Sequence, residues 1–154
     1  MLGTTSVHEL DASESIFSDA VVADRRQSGC VRFSYVPPGS QTPRRYRCQP
    51  DLGMRRAVDE ALKADPSLTQ AQQASIKAYV AGWLQPSFSA STYGRPEYCQ
   101  LRLACPKEIR TGAADGSEMG AYCHTKQPQR ESNLRIRLDE YLPFGLEAGV
   151  IYVT

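Results

Sequence analysis

Cys123 and His124 are adjacent, and they are the first residues here whose types could carry covalent chemistry. A thiolate nucleophile needs a base within hydrogen-bond reach and a third group to orient that base. Neighbours on a strand point to opposite faces, and the second of the chain's two histidines is distant His8. The pair therefore reads as a small buried thiol beside a surface imidazole. The serines at 87, 89 and 91 have no histidine nearby, and no G-x-S-x-G elbow occurs. Asp139 and Glu140 read as solvated helix positions rather than as paired glycosidase carboxylates. No catalytic residue is assigned, and the chain is expected not to be an enzyme.

Metal chemistry fares no better. Structural zinc favours closely spaced cysteine pairs. Cys30 and Cys48 are far apart, Cys99 and Cys105 are separated by five residues, and Cys123 has only His124 beside it. On one strand Cys99 and Cys105 would lie about 20 Å apart, too far for a disulfide. Buried free thiols are expected, with no metal and no cofactor. The run Asp115-Gly116-Ser117-Glu118 lacks the spacing of a calcium loop and reads as a turn-rich connection.

The strongest local charge signal is Arg44, Arg45 and Arg47 with Tyr46 among them. Arginines with an interleaved aromatic suit phosphate contact and base stacking. They suit carboxylates of a neighbouring subunit equally well. Nearby Asp51 and a formal net charge of +1 leave no whole-protein field to steer nucleic acid.

The elements that must position these residues follow from periodicity. Residues 5–24 read as extended, with Ile16, Val21 and Val22 as β-formers. Cys30 to Val36 alternates, placing Val31, Phe33 and Tyr35 on one strand face. Helices are expected over 54–64, from a Thr69–Gln72 capping box to Pro86, and from 128 to 142. The last of these would turn Leu134, Leu138, Tyr141 and Leu142 inward. A strand is expected at 98–104, a glycine-rich loop at 110–120 and a docking β-run at 150–153. No internal repeat is evident. At 154 residues, 41% apolar and 23% charged, the chain has the composition of one globular domain. No apolar run reaches the length that spans a bilayer, and the acidic start Met1 to Ser15 is no signal peptide. A cytoplasmic protein without membrane contact is expected.

Three strings stand out as a set: His8 to Phe17, Cys30 to Pro37 and Pro43 to Pro50. With Asp115 to Gly120, Gln127 to Glu131 and Phe144 to Thr154, they resemble the C-terminal region of a family of large, uncharacterised bacterial proteins. The resemblance implies an upstream right-handed β-helix and an association with phage-tail-like contractile injection gene clusters. It implies no catalytic residues. Residues 5–24 would form a last β-helix rung with an open edge.

The expectation is an α+β fold, with a β-rich cap-like segment at 1–36 and an α+β part at 37–154 that make one compact unit. The first functional reading is a structural or assembly module whose partners are proteins, itself included. Self-association would run through an edge formed by Ile16, Val21, Val31, Phe33 and Tyr35. An anionic partner at Arg44, Arg45, Tyr46 and Arg47 comes second, with nucleic acid disfavoured. A cysteine-dependent enzyme is third.

Overall fold

The computed structural model describes residues 2–150. Five short strands come first: β1 (Thr5–Val7), β2 (Leu10–Ser13), β3 (Val21–Ala23), β4 (Gly29–Arg32) and β5 (Arg44–Tyr46). Helices follow: α1 (Asp51–Ala64), α2 (Gln70–Trp83), α3 (Lys107–Arg110), a 3-10 turn at Cys123–Thr125, and α4 (Gln127–Tyr141). The class is α+β, as expected. Among the described residues no helix is long and apolar enough to cross a membrane.

Every pairing between these strands is parallel: β1 with β3, β2 with β4, and β4 with β5. Parallel neighbours need a connection of a dozen or more residues. Here each connection is itself a coil. Parallel bridges also join Ile16 to Tyr35, Tyr35 to Gln49 and Val22 to Gln41. The pairing segments therefore stack in three rungs: 5–7, 10–13 and 16; then 21–23, 29–32 and 35; then 41, 44–46 and 49. The chain opens with a three-rung parallel β-solenoid rather than a single rung, and it runs past residue 36 to Gln49.

The rungs are an internal repeat, against expectation. Its offsets are 19 residues from Ile16 to Tyr35 and 14 from Tyr35 to Gln49. Each rung turns a corner on one residue in the left-handed region: Glu14 (φ 54°), Phe33 (φ 47°) and Arg47 (φ 49°). The residue after each corner reaches back two positions. Ser15 Oγ donates to the Ser13 carbonyl at 2.9 Å, Ser34 Oγ to Arg32 at 2.7 Å, and Cys48 Sγ to Tyr46 at 3.5 Å. These local bonds offset the cost of a non-glycine residue in that region.

The corner ends β4 at Arg32 and overturns the expected 30–36 strand. Val31 faces the solenoid interior, packed with Leu10, Phe17, Val21, Ala23, Val36 and Cys48. Tyr35 instead joins Ile16 in a second core, with Val80, Leu84, Leu101, Cys105, Ile109 and Met119. One side of the solenoid thus forms the floor on which α2 and the following loops pack. Burying each large aliphatic or aromatic side chain contributes about 1.5–3 kcal/mol.

The helical layer is close to expectation. α1 starts at Asp51, with Val58 buried. α2 carries the foreseen capping box, in which Thr69 Oγ1 accepts from Gln72 N–H and Gln72 Oε1 accepts from Thr69 N–H at 2.8 Å. The 98–104 strand is replaced by two isolated bridges, Phe88 to Leu101 and Ala90 to Tyr98, because Cys99 adopts φ 61° and breaks the extension. α4 forms where expected but buries no residue, and Leu134 (47%) and Tyr141 (79%) are exposed rather than inward-facing. Of the expected 150–153 run, residues 151–153 lie outside the described residues.

Gly29 and Gly39 share φ +84°, but a Cβ at Gly29 would collide with the Leu10 carbonyl, whereas Gly39 has open space around it. Gly39→Ala is expected to cost about 1–2 kcal/mol, the left-handed penalty alone. Gly29→Ala adds a backbone clash between the first two rungs and should cost about 4 kcal/mol or more. Urea unfolding of both variants checks the difference.

Candidate interaction surfaces

The basic run Arg44 to Arg47 forms the outermost strand and corner of the third rung. Its residues do not act together. Register places Ala12, Val31 and Arg45 in one column across the rungs, so Arg45 continues an interior aliphatic position. Each guanidinium nitrogen makes a hydrogen bond: Nε donates to Thr42 Oγ1 at 2.7 Å, one terminal NH2 to the Ser40 carbonyl at 2.7 Å, and the other to Asp51 Oδ2 at 3.0 Å. The Arg45 side chain is 21% exposed. Asp51 opens α1, so this pair ties the solenoid's last rung to the helical layer.

Arg44, Tyr46 and Arg47 remain exposed. Tyr46 meets Phe33 edge-to-face with centroids 5.6 Å apart, and the Arg47 guanidinium lies 5.8 Å from the centre of the Tyr46 ring. These contacts build one aromatic and cationic corner across two rungs.

The five residues expected to form an association edge sit elsewhere. Ile16, Val21, Val31 and Tyr35 are each at most 4% exposed and belong to the two cores. Phe33, half-buried, lies at the corner. Side chains that close one chain's interior cannot also form its edge. Among the described residues β1 and β2 at the first rung, and β5 at the third, each have a strand partner on one side only.

That first rung is partly covered at its corner. The Glu14 carbonyl accepts from Gly120 N–H at 2.7 Å, and Glu14 Oε1 accepts from Ala114 N–H at 3.2 Å. The glycine-rich segment 110–120 is thus docked. Ser117, Glu118 and Met119 are buried within it. Burial pushes the Glu118 carboxyl above its ordinary range, against the pull of Arg110. Asp115 is held down to about 2, first by the Ser117 hydroxyl and N–H and then by Lys126.

All five cysteines are free. Burial raises the thiols of Cys48, Cys105 and Cys123, and Glu14 raises Cys123 further. A nucleophilic cysteine needs the opposite shift. His124 is exposed, and His8 Nδ1 faces Asp24 at 3.5 Å on the surface. Among the described residues no group of three or more His, Cys, Asp or Glu side chains could hold a metal.

The serine and cysteine one position beyond each corner were the available sequence signal for the repeat, at 15, 34 and 48. Unequal coil lengths hid it.

Arg45→Ala is expected to destabilise the chain by about 2 kcal/mol by leaving a partly buried polar cluster unpaired. Arg44→Ala should stay within about 0.5 kcal/mol, as surface substitutions do. Chemical denaturation compares them. Ser117→Ala should raise the Asp115 pKa from about 2 towards its ordinary value of 3.8. Because the folded value is depressed, the stabilisation is complete above the ordinary carboxylate range and is lost as pH falls towards 2. Carbon-detected NMR titration of Asp115 reads the shift.

No family model, curated protein or solved structure matches the chain.

Proposed function

We propose that this chain is a non-catalytic assembly module whose open first rung pairs with a strand-bearing protein partner, a second copy of itself when the chain is alone. The observation that carries this reading is the difference between the two ends of the solenoid. At the third-rung end, the interior column terminates in Arg45, whose guanidinium another rung would have to desolvate. At the first-rung end, the same column begins with Ala12, and β1 and β2 each leave one backbone side without a strand partner among the described residues. Unpaired strand edges recruit further strands. β5 also has a strand partner on one side only, but Arg45 disfavours a further rung there, so two copies meeting first rung to first rung make a finite two-fold dimer rather than a fibre. The resemblance to proteins with an upstream β-helix supports the same surface.

An anionic partner is the second reading, favoured by the exposed Arg44, Tyr46 and Arg47 corner. It no longer includes Arg45. Salt-sensitive heparin retention that Arg44→Ala abolishes would select it.

In a parallel ladder alternate residues point their backbone groups to opposite sides. Glu14 N–H bonds back to Arg32, which leaves Asp11, an odd neighbour on β2, facing outward. Light scattering after size-exclusion chromatography should show a dimer at tens of micromolar, and Asp11→Pro should return a monomer of similar melting temperature. A wild-type chain that stays monomeric would falsify the reading.

A further inference from the structure

We infer that the groove between the solenoid corner, α1 and α3 binds a small ligand bearing an oxyanion, a phosphate or a carboxylate. This site is independent of the assembly reading, and shares Arg47 and Phe33 with the aromatic and cationic corner. Its volume is about 390 Å³, within the range of small-molecule sites.

Three structural elements each bring a cation to it: Arg47 from the third corner, Arg56 from α1 and Lys107, far along the chain, from α3. Glu108 is the one carboxylate that shares the lining. None of the three cations forms an ion pair within 4.0 Å among the described residues. Like charges gathered in a concave space repel one another and focus a positive potential on whatever enters. Arg47 is held by its left-handed backbone and by the Tyr46 ring, so little of its freedom is lost on binding.

Gln49 supplies a second observation. It is 4% exposed and lines the same groove. Its Oε1 accepts from Gly53 N–H at 3.1 Å, while its side-chain NH2 has no hydrogen-bond partner among the described residues. Among the described residues the buried side-chain polar atom without a partner is Gln129 Oε1, so the Gln49 NH2 keeps contact with the solvent of the groove and can donate to a ligand there. An oxyanion in the groove would accept from that amide while neutralising the guanidinium and ammonium groups. Phe33 gives one wall an apolar face for the rest of the ligand.

The test uses pyrophosphate and citrate as separate probes, followed by NMR at the Gln49 side-chain amide. At least one probe should shift that resonance saturably. Pyrophosphate alone doing so assigns a phosphate ligand, citrate alone a carboxylate, and both an oxyanion site open to either. The Arg56→Gln, Lys107→Gln double variant removes two exposed charges and should weaken binding about a hundredfold, roughly tenfold for each charged contact. Gln49→Glu keeps the acceptor for Gly53 N–H and replaces the donor with a negative charge, so it should abolish binding as read at the Gly53 backbone amide, with the fold intact by circular dichroism. Failure of both probes to saturate by about 10 mM, a limit near 3 kcal/mol of binding, overturns the inference. So do shifts that persist unchanged in the double variant.

Discussion

Three coils of different sequence and different length stay in register because each bends at an equivalent residue and then pins that bend with its own side chain. The left-handed corner at Glu14, Phe33 and Arg47 turns the chain from one side of the solenoid to the next. The hydroxyl or thiol that follows secures it against the carbonyl two residues earlier. Once the corners superimpose, the parallel ladders have partners and the inward side chains fall into columns. A corner displaced by one residue would send Val31 outward and a charged neighbour in, since strand side chains alternate. Both cores depend on this, because the same bend assigns Val31 to one and Tyr35 to the other.

The basic run shows how one segment can serve two purposes. Arg45 occupies an interior column and is consumed by Thr42, Ser40 and Asp51, so its role is architectural. Its immediate neighbours on either side point outward, and the next corner residue, Arg47, leans over Tyr46 into a groove shared with two helices. Strand alternation thus sorts adjacent charges into a structural group and an available one. It also gives the solenoid a polar last rung beside the helical layer and a plain backbone edge at the start.

Much of the architecture was legible in the sequence where the signal is local. The Thr69–Gln72 capping box fixed the start of α2, and Pro66 and Pro86 bracket the two main helices. The mixed class followed from β-rich and helical segments that succeed one another. The stacked repeat was not legible, because offsets of 19 and 14 residues defeat a search for one period. The 30–36 strand failed for a related reason: alternation in sequence says nothing about a residue such as Phe33 taking a left-handed backbone. α4 shows the converse limit. Leu134, Leu138 and Tyr141 have helical spacing, yet spacing cannot reveal whether another surface lies opposite them. The groove that gathers Arg47, Arg56 and Lys107 depends on approach between distant segments, which no local pattern records.

The unequal coils place their length difference at particular bends. Between Ala23 and Gly29 the second rung makes an exposed excursion, whereas the third passes from Gln41 to Arg44 almost directly. The pinned corners and their stacked neighbours are unaffected by that difference. Variation in chain length is therefore absorbed at 24–28, so this bend is where a lineage could graft extra residues, or an experimenter a tag, without unseating the columns beneath it.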